Sequence, residues 1–296
     1  MGKTINFIYD NTFYDKILDG FIDPIIKHIP DGLWNKSRKF QENMLNVGFF
    51  TDTKTNALKD VFMSHGIADK NWRGAQRVSS FDYVFVSGDA WRSKLIKQGL
   101  DANKIFVVGY SKLDDLFNNF NKVSSVKIHV LYAPTHNTRA KTYPNESCLS
   151  SYPRLNVHIT NPPTDIEVRY SLHPANVPDL QPTYNEYEWA DVVISDCSST
   201  LYEAWALGIP VVFPDWLVRE NILNAFPNSF EHQIYAEQIG YHVQNQANLW
   251  QTIRLAHENG MDNKSVEFIE GIFPKRLRGT SGKTMADTLL ELSKRT

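Results

Sequence analysis

The residues best suited to chemistry lie where an apolar run gives way to a hydroxyl-rich turn and then to a helix. Val192–Ser195 predicts a buried strand, and Thr200–Leu207 predicts a helix that Gly208 ends. Side-chain hydroxyls beside the free N–H groups of a helix N-terminus form an anion site. The hydroxyls of this turn belong to Ser198, Ser199 and Thr200. We therefore predict that the turn holds the phosphates of a nucleotide diphosphate.

The two carboxylates of this motif each allow two interpretations. Glu203 follows Thr200 by the spacing of a capping box, so it could simply cap the helix. It could instead accept hydrogen bonds from ribose hydroxyls, as acidic residues do in nucleotide-binding folds. Asp196 could lie beside the N-cap or face the site, and we predict it as a catalytic residue. Cys197 is predicted to be a packing residue.

Two further predicted strands lead into histidines. Ile128–Ala133 is followed, after a proline, by Thr135 and His136, and Val168–Leu172 is followed directly by His173. Open parallel sheets bind ligands at the carboxyl ends of their strands, so we predict all three residues as donor ligands. The second histidine could donate to a phosphate oxygen or could simply bond a backbone carbonyl. His136 is explained equally well as part of a polar loop.

His65 is the candidate general base, because a histidine beside a glycine at a turn is accessible and titrates near neutral pH. It follows a helix predicted near Thr55–Phe62, and a loop histidine without a role is the alternative. The residues predicted to bind the acceptor come shortly after it: Trp72, Arg73 and Arg77.

A basic, glycine-containing segment precedes the last predicted helix. Lys275–Thr284 could close over the donor phosphates, with Lys283 as a ligand, or could be a solvated loop. It is not a P-loop, since its glycine spacing is wrong and no strand leads into it.

Alternating strands and helices position these residues and predict an α/β fold with parallel βαβ units. We predict two Rossmann-like domains whose parallel sheets face a cleft: an acceptor domain at residues 1–120 and a nucleotide-donor domain at residues 121–296. Residues 135–163 are predicted to form an irregular excursion. The remaining predicted strands are Ile5–Tyr9, Leu45–Phe50, Tyr83–Ser87, Ile105–Val108 and Val211–Phe213. The remaining predicted helices are Tyr14–His28, Asp89–Gln98, Ala247–Glu258 and Thr284–Lys294.

Composition narrows the class of protein. The chain has 296 residues, a net charge of −2 and 42% hydrophobic residues, which argues against long disorder, an obligate nucleic-acid coat or a polybasic membrane binder. Two cysteines make no disulfide or zinc framework. No apolar run approaches a membrane span, and the N-terminus has no signal-peptide layout, so we expect a cytoplasmic protein without integral membrane contact. Neither a cofactor nor a metal is predicted.

Taken in order, the motifs resemble those of the CDP-glycerol glycerophosphotransferase family, within the GT-B glycosyltransferase architecture. The similarity covers roughly residues 60–290 and rests on these segments: His65-Gly66, Val86-Ser87-Gly88, Val108–Asp114, Leu131–Thr135, Leu172-His173-Pro174, Ser195–Ser199, Gly208–Val211 and Gly282-Lys283.

The resemblance implies transfer from a nucleotide-activated donor without a catalytic metal. It implies that His65 deprotonates the acceptor hydroxyl, that His173 contacts the donor phosphate and that Ser198 and Ser199 hold the donor phosphates. Glu203 stands where many GT-B enzymes have a carboxylate on the nucleotide ribose. The absence of an Asp-x-Asp motif disfavours the metal-dependent GT-A class.

Four functions compete. The first is a soluble GT-B transferase that moves a glycosyl or glycerol-phosphate group from a UDP-sugar or CDP-alditol to an acceptor hydroxyl. A lipid-linked acceptor is disfavoured, because the chain has no basic amphipathic segment. The second is a DNA glycosyltransferase acting on hydroxymethylated pyrimidines, suggested by the aromatic and basic residues of 72–97. The third is a sugar-nucleotide epimerase, and the fourth is a non-catalytic nucleotide-sugar-binding module.

Overall fold

The computed structural model describes residues 2–9, 15–49, 60–64, 66–70, 74–137, 149–174, 176–177 and 183–295. Its strands are β1 (Ile5–Ile8), β2 (Trp34–Ser37), β3 (Leu45–Gly48), β4 (Val61–Met63), β5 (Tyr83–Val86), β6 (Ile105–Val107), β7 (Ile128–Tyr132), β8 (Ile166–Tyr170), β9 (Val192–Ile194), β10 (Val211–Phe213) and β11 (Tyr241–His242). Its helices are α1 (Asp15–Ile26), α2 (Ala75–Val78), α3 (Asp89–Lys97), α4 (Asp114–Asn119), α5 (Asn156–Ile159), α6 (Ser199–Ala206), α7 (Asp215–Ala225), α8 (Phe230–Glu237), α9 (Leu249–Asn259), α10 (Asn263–Ile272) and α11 (Ser281–Ser293).

The chain divides into two compact units. The first contains Met1–Ile67, Trp72–Asn119 and Glu270–Thr296, and the second contains Ala68–Asn71 and Phe120–Ile269. Each unit has one parallel sheet, as predicted for an α/β fold. The predicted cleft between the sheets stays a prediction.

The first unit is built on six parallel strands in the order β2-β1-β3-β4-β5-β6. Continuous apolar runs such as Tyr83–Val86 form these strands, because helices cover both faces of a parallel sheet and bury both sets of side chains. Trp34–Ser37 is polar and only half-buried, since β2 lies at the edge, and its pattern escaped the sequence analysis.

The last helix, α11, belongs to the first unit. This differs from the prediction that residues 121–296 form one domain. The reason is packing: α11 lies against α1, and Gly282 approaches so closely that a Cβ there would lie 2.5 Å from the carbonyl oxygen of Pro24. Asp114 caps α11, since its carboxylate accepts from the Ser281 N–H at 3.2 Å and the Gly282 N–H at 2.6 Å. Burial raises the pKa of Asp114 to about 6.

The second unit is built on five parallel strands in the order β11-β10-β9-β7-β8. The chain runs from β7 to β8 on one side and then returns to β9 on the other, so the strand order reverses between β7 and β9. In open parallel sheets the crevice at the carboxyl ends of two such strands binds ligands. Beneath it lies a core that includes Val130, Tyr132, Ile194, Val212 and Ile253.

One predicted element needs correction, and several helices were missed. Val61 and Phe62, placed in a helix near Thr55–Phe62, belong to β4, and residues 55–59 of that helix lie outside the described residues. Their apolar side chains are buried in the sheet rather than on one face of a helix. Four helices of the second half, α5, α7, α8 and α10, were not predicted.

Candidate functional site

The turn after β9 is organised by Ser198 rather than by Thr200. Ser198 is the N-cap of α6, and its hydroxyl accepts from the Thr200 N–H at 3.4 Å. The hydroxyl of Thr200 instead donates to the carbonyl oxygen of Ala133 at 2.9 Å, which ties α6 to the end of β7. Thr200 and Glu203 therefore do not form the capping box that was one of the two interpretations of Glu203. The N-terminus of α6 lies at the carboxyl end of β9.

Glu203 is buried inside the second unit. Its side chain is 1% exposed, and its carboxylate accepts from the hydroxyl of Tyr187 at 2.8 Å. A buried carboxylate needs such a partner, because it has lost its hydration. This placement does not favour the predicted contact with ribose hydroxyls.

Asp196 holds three loop segments together. Its Oδ1 accepts from the backbone N–H groups of Thr135 at 2.8 Å and Cys197 at 2.7 Å. Its Oδ2 accepts from the N–H and the hydroxyl of Ser151 at 2.9 Å and 3.0 Å. The residue is fully buried. This geometry favours a positioning role over the catalytic role that we predicted for it.

The two strand-end histidines meet at this edge. The rings of His136 and His173 lie 5.0 Å apart at 61°, since β7 and β8 are neighbours and their carboxyl ends adjoin. Thr135, one residue before the first histidine, is held by Asp196, and its carbonyl oxygen accepts from the Ser150 hydroxyl at 2.8 Å. The structure thus brings three predicted donor ligands together at the adjoining carboxyl ends of β7 and β8.

A short segment that the sequence analysis did not select, 68–70, belongs to the same unit. The Ala68 N–H donates to the hydroxyl of Ser199 at 3.3 Å, so the segment docks on the N-terminal turn of α6. The Asp69 N–H donates to Glu231 at 2.8 Å, and the Asp69 carboxylate accepts from the Phe230 N–H at 2.7 Å. The segment therefore also caps α8. Its partners are distant in sequence, so no local pattern could have revealed it.

Glu231 is a buried carboxyl group beside the docked segment, and its pKa is raised. It is fully buried and accepts from the Tyr202 hydroxyl at 2.6 Å. Burial, together with the neighbouring carboxylate of Asp69, raises the pKa of Glu231 to about 7.

Several predicted site residues lie elsewhere. Lys283 belongs to the first unit, in the first turn of α11, and forms an exposed ion pair with Asp287 at 2.6 Å. Arg77 is an exposed residue in the last turn of α2, also in the first unit. Trp91, from the aromatic and basic group, is only 4% exposed, so its ring is not available to stack on a base. The predicted residues His65, Trp72 and Arg73 lie outside the described residues.

The first unit has a small cavity of about 30 Å³ at the carboxyl ends of β4 and β5. Ser64 and Gly66, which flank the candidate base, line it together, and the Ser64 hydroxyl donates to the Gly66 carbonyl oxygen at 2.5 Å. The rest of the lining is mainly apolar and includes Phe21, Met63, Phe85, Trp91, Tyr110 and Met285.

Two absences concern only the part of the chain that the structure describes. No three His, Cys, Asp or Glu side chains there are grouped to hold a metal ion, and metal independence stays a prediction. No helix among the described residues is long and apolar enough to cross a membrane.

Comparison with known proteins supports the fold. Neither a protein-family model nor a curated protein sequence matches the chain. The wall teichoic acid polymerase TagF is similar in structure, with a TM-score of 0.67 and 13% identity over 99% of this chain and 90% of the TagF chain. A variant of TagF soaked with CDPG has a TM-score of 0.64 and 14% identity over 99% and 89% of the two chains.

Two further solved structures share the architecture. A UDP-N-acetylglucosamine 2-epimerase from Listeria monocytogenes has a TM-score of 0.59 and 11% identity over 100% of this chain and 98% of its own. Staphylococcus aureus MnaA, solved with UDP, has a TM-score of 0.57 and 12% identity over 98% and 96%. The chain thus has a GT-B fold, as predicted.

Proposed function

We propose that this chain is a GT-B transferase that moves a glycosyl or glycerol-phosphate group from a nucleotide-activated donor to an acceptor hydroxyl. The observation that carries the proposal is the convergence at the reversal of strand order in the second unit. Thr135 is held there by Asp196, and Thr200 ties the N-terminal turn of α6 to Ala133 at the end of β7. The rings of His136 and His173 lie beside each other at the adjoining ends of β7 and β8. The proteins of similar fold include a wall teichoic acid polymerase, a UDP-N-acetylglucosamine 2-epimerase and a protein solved with UDP, which is consistent with such a donor.

The proposed chemistry follows from where charge develops. When the transferred group leaves, negative charge builds on the nucleotide phosphate, and donors fixed before the reaction stabilise that charge most effectively. The backbone N–H groups of α6 and the hydroxyls of Ser198 and Ser199 are such donors. An imidazole N–H from His173 would add a charge-assisted hydrogen bond when protonated.

His65 is proposed as the base that deprotonates the acceptor hydroxyl. Its support is the resemblance in sequence and the position of its neighbours, since Ser64 and Gly66 line the cavity of the first unit. We expect His65→Ala to abolish turnover and to leave donor binding unchanged. The burial of Trp91 removes one argument for DNA as the acceptor.

Thermal unfolding with CMP, CDP, UDP and CDP-glycerol tests the donor site. A ligand that binds only the native state stabilises it by about 2.7 kcal/mol at a concentration of 100 Kd. We expect one nucleobase to give a selective shift that His173→Ala reduces. His257→Ala is the matched control, because this histidine is exposed on α9. No shift from any nucleotide would refute the proposal.

Release of nucleotide distinguishes transfer from epimerisation. A transferase breaks the bond to the donor phosphate and frees the nucleotide, whereas an epimerase returns a sugar isomer with the diphosphate intact. The geometry favours transfer, because Asp196 and Glu203 are buried and engaged in hydrogen bonds rather than presented as acid and base. Binding without either product would identify a nucleotide-sugar-binding module instead.

A further inference from the structure

A lysine that the sequence analysis did not assign reaches the centre of the proposed donor site. Lys70 ends the docked segment 68–70, and its ammonium group contacts the hydroxyl of Thr135. The same nitrogen lies 3.7 Å from the sulfur of Cys197. Thr135 follows β7, and Cys197 lies in the turn that leads to α6. The ammonium therefore stands between the two loops at which the strand order reverses.

The polar partners of this ammonium are neutral. Burial raises the pKa of the Cys197 thiol well above its ordinary value, so the thiol carries no charge at neutral pH. Its S–H faces the carbonyl oxygen of Leu149 at 3.7 Å. Among the residues that the structure describes, no carboxylate forms an ion pair with Lys70. A partly buried cation whose contacts are a hydroxyl and a thiol is suited to an anionic ligand.

The backbone that carries the lysine is fixed independently of any ligand. Ala68 is bonded to Ser199 on α6, and Asp69 is bonded in both directions to the first turn of α8. Because Glu231 and Tyr202 are buried, these bonds are shielded from water. Because this backbone is already fixed, Lys70 loses less conformational freedom when it binds an anion, and the entropic cost of binding is smaller.

We propose that Lys70 binds the donor's phosphate directly, as a cationic ligand beside the N-terminal turn of α6. The chemical class of ligand is the phosphate of a nucleotide, and the inference rests on the proposed function, since both use the same edge of the sheet. Asp69 and Glu231 act as positioning residues, because they hold the backbone from which Lys70 extends.

Titration calorimetry with CDP and UDP tests this role in the full chain. A hydrogen bond to a charged group makes a net contribution equivalent to about 10- to 100-fold in affinity. We expect Lys70→Met to weaken binding of the preferred nucleotide by that factor and Lys70→Arg to weaken it less. Lys127→Met is the matched control, because this exposed lysine precedes β7 at the opposite end of the strand.

The outcomes separate the two proposals. If the wild type binds neither nucleotide, the proposed function fails, and this inference fails with it. If the wild type binds a nucleotide and Lys70→Met binds it equally well, only the role of Lys70 is refuted. Equal weakening by methionine and arginine, together with a lowered Tm in both variants, would also refute it, because the lysine would then only pack against Thr135. Lys70→Gln provides the same measurement if the methionine variant does not fold.

Discussion

Replacing Asp196 with asparagine separates a positioning role from a catalytic one. The substitution keeps the size of the side chain and keeps one oxygen for the N–H groups of Thr135 and Cys197. The other oxygen becomes an NH2 group that faces the N–H of Ser151, so two donors oppose each other. The Ser151 hydroxyl can reverse and accept, but the N–H cannot.

The expected cost follows from this change. One buried N–H left without an acceptor costs about 1–3 kcal/mol, and two bonds to a charged acceptor become weaker bonds to a neutral one. We therefore expect Asp196→Asn to lower the free energy of unfolding by about 2–4 kcal/mol. Asp165→Asn is the control, because Asp165 is exposed and pairs with Arg254 at 2.7 Å, and a surface ion pair contributes little to stability.

Urea unfolding of the two variants and the wild type measures these differences, and nucleotide release from the donor measures activity in the same preparations. The positioning role predicts that Asp196→Asn loses stability and loses donor affinity along with it. If the variant were as stable as Asp165→Asn and bound donor normally, yet released no nucleotide, the reasoning would be refuted. Asp196 would then be the catalytic residue that its place in the motif first indicated.

Three further predictions concern groups that the structure places in defined surroundings. The pKa of Glu231 is raised to about 7, so near neutral pH the folded state binds a proton that the unfolded state has released. The free energy of unfolding should therefore fall as pH rises from about 5 to 8, by up to about 1.4 kcal/mol per pH unit. Urea unfolding across that range should show a flatter curve for Glu231→Gln, and parallel curves would contradict the assignment. Gly282→Ala should lower Tm, because the added Cβ would lie 2.5 Å from a carbonyl oxygen. Gly20→Ala in α1 is the control: its Cβ would meet no atom closer than 3.9 Å, so Tm should stay unchanged or rise. Tyr187→Phe leaves the buried carboxylate of Glu203 without this hydroxyl and should cost about 1–3 kcal/mol in urea unfolding; a loss of donor affinity at unchanged stability would instead support the ribose contact.

Local sequence patterns predicted much of the sheet and one edge of the site. Runs such as Val192–Ile194 and Tyr83–Val86 are apolar throughout, and only a strand covered on both faces buries such a run. Because parallel strands carry their loops at a common edge, the residues after β7, β8 and β9 could be grouped before any coordinates were known. Polar β2 escaped, since an edge strand need not be apolar.

Roles within the site were harder to predict, because a residue type is compatible with several partners. The spacing of Thr200 and Glu203 fits a capping box, yet Ser198 caps α6 and Glu203 meets Tyr187 instead. Asp196 lies in the motif that indicated catalysis, but its bonds to Thr135 and Ser151 were decided by how the loops fold back over it.

By itself, then, the sequence determined the α/β class, the parallel strands and the set of groups at their carboxyl ends, because these depend on periodicity and on neighbours along the chain. Only the tertiary structure decided that Asp69 meets Glu231, that Lys70 meets Thr135 and that the last helix returns to the first unit. Those contacts join residues far apart in the chain. They follow from close packing of distant segments, which leaves no period or motif in one sequence to reveal them.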